Sequence, residues 1–165
     1  MLSDLTDLGR PVVLSPHAFD LDCFLATAFQ LLQQSALDSS LKFTIELPGN
    51  PIQVFWDQGR VRQILDNLMH NAIQHSPKGG EIRVEVRDAV TEIQLRFQDQ
   101  GPGFAPEDLS RAFEPFFSRR QGGTGLGLGI AKKFAEAHGG SLRCANAPEG
   151  GAILELSLPI FSGRE

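Results

Sequence analysis

Two asparagines stand one helical turn apart, Asn67 and Asn71, in the stretch RQILDNLMHNAIQHSP (62–77). An asparagine carbonyl is a neutral, hard oxygen donor that suits Mg²⁺ without cancelling the metal's attraction for phosphate. Read alone, the pair serves equally to cap a bend or to face solvent. The stretch DQGPGF (99–104) sets a carboxylate, Asp99, directly after an apolar run. Such a carboxylate accepts a hydrogen bond from an exocyclic amine such as that of adenine, while Gly101 and Gly103 permit positive φ and close backbone approach. A plain Asp/Gly turn is the competing reading. Third comes GGTGLGLGI (122–130), with Gly123, Gly125 and Gly127 alternating ahead of a helix. Backbone N–H groups there can face an anion. No strand runs directly into this segment and no GK[ST] follows it, so it is neither a dinucleotide fingerprint nor a P-loop.

These groups need elements to hold them. Gln63, Asn67, Asn71 and Gln74 recur at three and four residues, beside an apolar face of Ile64, Leu65, Leu68, Ala72 and Ile73. That predicts a helix opened by Asp57 and closed at Pro77. A first amphipathic helix is predicted over Phe19–Leu37, with strands LKFTIEL and IQVFW after it. EIRVEVRD and TEIQLRFQD alternate in period two and predict an antiparallel hairpin. PEDLSRAF predicts a short helix, IAKKFAEAH a longer one capped by Gly139-Gly140, and SLRCANA with GAILELSLP a closing strand pair. The fold class is an α/β two-layer sandwich, a mixed, mostly antiparallel sheet with helices on one face.

The chain has 165 residues and a net charge of −5, with no basic run, which argues against a nucleic-acid partner. Cys23 and Cys144 lie far apart and form no CxxC, so no zinc site is legible. A reducing, cytoplasmic setting follows, and no apolar run is long enough to span a bilayer.

In this order and spacing the motifs resemble the ATP-binding domain of sensor histidine kinases. That domain lies within the GHKL superfamily, shared by type II topoisomerases, the large heat-shock chaperone ATPase and mismatch-repair ATPases. The N box resembles QILDNLMHNAIQHSP, the first glycine box DQGPGF, the F box FEPFF (113–117) and the second glycine box GGTGLGLGI. The resemblance covers roughly residues 15–160 and implies a Bergerat fold. Residues 1–14, with MLSDLTDLGR, would then be the stub of a dimerisation helix and connector, and 15–165 the kinase domain.

By that resemblance the cofactors are ATP and Mg²⁺. Asn71 binds the metal, with Asn67 a second polar contact and possible ligand. Asp99 binds the adenine amine in a pocket shaped by Gly101 and Gly103. His75 stands where the family often has an aromatic against the nucleotide, and Gln74 where it often has a cation. The backbone of Gly123, Thr124, Gly125, Leu126 and Gly127 follows the phosphates, and Arg119 and Arg120 are the lid cations. Phe113, Phe116 and Phe117 anchor the lid. Ala152 and Ile153 replace a Thr common near the adenine. Hydrolytic relatives carry Glu where Asn67 stands, and an amide takes up no proton at neutral pH. The implied activity is transfer of the γ-phosphoryl group to a histidine.

None of His17, His70, His75 or His138 lies in a phosphoacceptor context. His17 falls in a connector, and His138 sits at a helix end, where a positive imidazole is favourable. The acceptor is thus expected on a separate dimerisation domain, with a response regulator receiver domain as next partner and the isolated chain monomeric. A nucleotide-sensing docking module and an anti-sigma-type serine kinase of the same superfamily are the alternatives.

Overall fold

A computed structural model describes residues 2–118 and 124–161, with side chains from residue 5 onward. In chain order the elements are α1 Leu2–Gly9, β1 His17–Asp20, α2 Leu21–Asp38, β2 Lys42–Glu46, β3 Gln53–Trp56 and α3 Gln58–His75. There follow β4 Glu81–Asp88, β5 Glu92–Gln98, α4 Gly127–Ala137, β6 Ser141–Asn146 and β7 Ala152–Pro159. Five strands form one sheet in the order β2-β4-β5-β7-β6, with β2 parallel to β4 and the other neighbours antiparallel. The α/β two-layer sandwich expected from the pattern is the architecture observed.

Strand alternation decides the two faces. Val84, Val86, Leu95, Phe97, Leu154 and Leu156 point inward and are buried with residues of α2, α3 and α4. Burying each such side chain contributes about 1.5–3 kcal/mol. The outward face carries a row across four strand pairings, Glu46, Glu85, Arg96, Glu155 and Arg143, with opposite charges adjacent at three of them. Such a row tolerates water, and the helices accordingly lie on one face.

Three expectations need correction. Phe19 does not open the first helix. His17–Asp20 is a strand paired antiparallel with β3, and Asp20 is the helix N-cap, accepting from the Cys23 N–H (2.9 Å). The connector expected at His17 is therefore β1, where His17 Nε2 meets Gln58 Oε1 at 3.1 Å. Correspondingly, IQVFW leaves the main sheet for this two-stranded one. Its Trp56 is fully buried and donates from Nε1 to the Pro159 carbonyl (2.6 Å), tying the small sheet to the end of β7. The segment PEDLSRAF is a run of turns. The N–H groups of Asp108, Arg111 and Glu114 each donate to the carbonyl three residues back, too sparse a pattern to nucleate a helix.

Helix α4 ends as predicted. Gly139 has φ +79°, its N–H reaches the Glu136 carbonyl, and the Gly140 N–H reaches that of Ala135 (both 2.9 Å). This is a Schellman cap. His138 just before it departs from the expected charged role. It is buried, its Nδ1 pairs with the Phe134 carbonyl (2.7 Å), and its Nε2 accepts the backbone N–H of Asp57 at the start of α3 (3.1 Å). Only a neutral ring with its proton on Nδ1 fills both roles. Burial pushes its pKa below the ordinary imidazole value, against the upward pull of the Phe134 carbonyl and the Asp57 charge. The sign follows. Below about pH 6.5 the unfolded chain binds a proton that the folded chain refuses. The contribution to stability is complete above that pH and is lost as pH falls through the depressed folded value. We expect melting temperature to fall more steeply on acidification from about pH 7 to about pH 5 in wild type than in His138→Gln, whose side chain does not titrate.

Candidate functional site

The amide stripe of α3 divides into four separate uses. Gln63 donates to the Asp7 carboxylate (3.3 Å) and Gln74 meets His70 (2.6 Å between the nitrogens). Asn67 donates through Nδ2 to the carbonyl of Gly127, the first residue of α4 (3.1 Å). Asn71 is half-buried, and among the described residues its side chain has no hydrogen-bond partner. Its backbone carbonyl pairs with Nδ1 of the exposed His75 (2.8 Å), holding that ring along the end of the helix.

At that end α3 meets the DQGPGF loop. A Cβ on Gly101 would lie 2.2 Å from the His75 carbonyl oxygen, so only glycine lets the loop close on the helix. Asp99, at the end of β5, is 3% exposed. Its Oδ1 accepts from the N–H of Gly101 (2.9 Å) and from that of Ala152 (3.0 Å). One carboxylate oxygen is thereby fixed, and the other has no hydrogen-bond partner among the described residues. Gly103 has φ +74° and abuts Asn146, which holds Phe104 by both backbone groups, accepting at 2.7 Å and donating at 2.8 Å.

Asn67, Asn71 and His75 are successive turns of one helix. The first touches the start of α4 and the last touches the Asp99 loop. Asn71 thus lies between the two glycine segments, one turn from each contact. The free amide, the oriented carboxylate and the glycine-rich helix start are brought together by α3.

Of the second glycine segment, Thr124, Gly125, Leu126 and Gly127 are described, and Gly123, like Arg119 and Arg120, lies outside the described residues. The Leu126 N–H meets the Thr124 hydroxyl at 3.4 Å, and the Leu126 side chain is buried. Gly125 has φ +67°, and a Cβ there would come within 2.5 Å of the Phe116 carbonyl carbon. A Cβ on Gly129, which sequence reasoning passed over, would likewise lie 2.9 Å from the Phe113 carbonyl oxygen. These glycines therefore seat the start of α4 on the FEPFF turn, beyond leaving N–H groups open. Phe113 lies under the Lys132 ammonium (4.9 Å) and Phe117 under Arg111 (4.6 Å). Phe116 is not buried in the core. Its φ of +65° turns the ring outward, leaving it 67% exposed.

Sequence reasoning also missed Gly151 and the N–H of Ala152. A Cβ on Gly151, at φ +94°, would lie 2.0 Å from the Asp99 carbonyl oxygen, and the PEGG turn gave no sign of this. A cavity of about 460 Å³ shares Asp99 and Gly101 with the site, but Glu81, Arg83 and Gln98 line it from the outward sheet face. It takes in neither Asn71 nor α4.

Comparison with known proteins adds four findings. The model of the family described as histidine kinase-, DNA gyrase B-, and HSP90-like ATPase matches residues 56–161. The chain is 32% identical to a sensor histidine kinase, ZraS, of Klebsiella oxytoca, over 97% of this chain and 35% of that protein. It is 31% identical to the adaptive-response sensory kinase SasA of Synechococcus sp. (strain CC9311), over 98% of this chain and 44% of that one. The chain thus spans less than half the length of these curated relatives. The solved, nucleotide-free catalytic domain of histidine kinase ThkA superposes with a TM-score of 0.82 at 28% identity, covering 90% of this chain and 97% of that one.

Proposed function

The chain belongs to the histidine kinase-, DNA gyrase B- and HSP90-like ATPase family, and from that premise we propose that it is the ATP-binding catalytic domain of a two-component sensor histidine kinase. The observation that carries this reading is α3, whose Asn71 amide, without a partner among the described residues, lies between the Asp99 carboxylate and the start of α4. Residues 15–165 form the kinase domain, and 1–14 belong to the connector from a dimerisation domain that bears the acceptor histidine. A response regulator takes the phosphoryl group next. The support for that last step is by likeness, since ThkA has been solved in complex with the response regulator protein TrrA (TM-score 0.83, 25% identity, 96% of this chain and 46% of that chain covered). The domain works in the cytoplasm, and among the described residues no helix is long and apolar enough to cross a membrane.

The second oxygen of Asp99 accepts the adenine amine. Gly101 and Gly103 shape the loop around the base, and His75 lies against the nucleotide. The N–H groups at the start of α4, with Gly123, Thr124, Gly125, Leu126 and Gly127, follow the phosphates, and Arg119 and Arg120 meet the γ-phosphate from the lid. Among the described residues no cluster of three acidic, His or Cys side chains could hold a metal alone. The free Asn71 oxygen fits Mg²⁺ as one neutral ligand beside phosphate oxygens, where the ion would neutralise developing charge. Asn67 spends its nitrogen on Gly127 and offers at most one oxygen. It cannot deprotonate water, so the γ-phosphate survives until a histidine arrives. The domain's own contribution is positioning and charge stabilisation.

Calorimetric titration of the chain with a non-hydrolysable ATP analogue, with and without Mg²⁺, tests the reading. Saturable binding that tightens with Mg²⁺ is expected. A folded chain with no binding would contradict it.

A further inference from the structure

Helix α1 spans eight of the described residues, Leu2–Gly9. It ends against a single cation. Lys133, in α4, donates from Nζ to the carbonyls of Asp7 (2.7 Å), Leu8 (3.0 Å) and Arg10 (2.5 Å). All three ammonium protons are thereby matched to carbonyls at or just past the helix C-terminus, which lack intrahelical partners and carry the negative end of the helix dipole. The Asp7 carboxylate faces the other way, toward α3. It meets Arg60 Nη1 at 3.5 Å and Gln63 Nε2 at 3.3 Å. Arg60 also lies over the Phe134 ring of α4, 4.7 Å from its centroid. One small surface of α3 and α4 thus supplies these polar contacts of Asp7, Leu8 and Arg10, and Leu8 packs on the core beside it.

We propose that Lys133, with Arg60 and Gln63, forms a latch that couples nucleotide occupancy to the docking of α1. The inference rests on the nucleotide site proposed above. The platform keeps its shape only while α3 and α4 keep their spacing. The Asn67 link to Gly127 sets that spacing toward the glycine segment, two turns from Lys133. A nucleotide held by Asn71 of α3 and by the start of α4 braces the same two helices and so favours the docked α1. Coupling is reciprocal: docking of α1 tightens nucleotide binding by the same factor. Lys133 touches no nucleotide and is a positioning residue.

Backbone amide exchange over residues 2–9 reads this directly, on the whole chain with and without the Mg²⁺–ATP analogue. In wild type, saturating nucleotide should slow exchange there about five-fold. In Lys133→Met, α1 should exchange fast in both conditions, and affinity for the analogue should fall by the same factor. Asp7→Asn, which leaves the core untouched, should give a smaller loss in the same direction and stands in if Lys133→Met does not fold. Nucleotide binding with unchanged α1 exchange would overturn the latch while leaving the nucleotide site intact, and so would an α1 still protected in Lys133→Met. Absence of any binding would instead overturn the function, and the coupling with it.

Discussion

Replacing Asp99 by asparagine should weaken ATP binding roughly 100-fold while leaving the fold intact. The reason is the division of labour within the carboxylate. Oδ1 accepts from the N–H groups of Gly101 and Ala152, which fixes the side chain. An asparagine oxygen serves both donors equally well, so its NH₂ replaces the oxygen that faces the base. A donor then confronts the donor amine of adenine, and a favourable contact becomes a repulsive one. The reverse orientation is no better, because the NH₂ would face two buried N–H groups. A guanine base presents an acceptor at that position, so preference for ATP over GTP should shrink in the variant. Calorimetry with both nucleotides, beside a melting curve, checks this. An unchanged ATP affinity would mean that Asp99 only ties the loop to β7.

The second large effect is expected at Asn71. Its amide has no partner among the described residues, so Asn71→Ala should cost little stability. Binding in Mg²⁺ should fall to the level that wild type shows in EDTA, and phosphoryl transfer should drop by at least about 100-fold. The neighbouring turn gives the control. Asn67→Ala loses the bond to the Gly127 carbonyl and should cost about 1 kcal/mol of stability. Because it loosens the start of α4, it should weaken binding with and without Mg²⁺ alike. The pair separates a metal ligand from a clasp between helices. Equal Mg²⁺ dependence in both variants would remove the distinction.

Where the sequence was informative, a residue's type constrained its own backbone. Asp57 before the α3 pattern and Pro77 after it bounded the helix, and the structure places the N-cap at Asp57, accepting from Arg60 N–H (3.1 Å). Period-two alternation located β4 and β5 and their pairing. What stayed hidden depends on contacts between backbone atoms far apart in the chain. The partner of Asn67 is a carbonyl sixty residues on, and that of Asp99 an N–H fifty-three residues on. Every residue type but proline supplies such groups, so neither Gly127 nor Ala152 could advertise its role. Phe116 misled in the opposite way. Its apolar type predicts burial, but the left-handed turn against Gly125 directs it to solvent. His138 read as a residue whose positive form is favoured at a helix end, but packing between α4 and the start of α3 makes it a neutral, buried link.

The most direct test of the central claim is transfer of label from γ-labelled ATP. The chain would be mixed with a histidine-bearing dimerisation domain from a sensor kinase, with Asn71→Ala alongside. The account predicts acid-labile, base-stable label on the histidine domain, dependent on Mg²⁺ and on Asn71, with slow release of free phosphate by the chain alone. Brisk release of phosphate with no labelled histidine would contradict it and make the chain a hydrolase. Tight nucleotide binding with neither transfer nor release would make it a docking module instead.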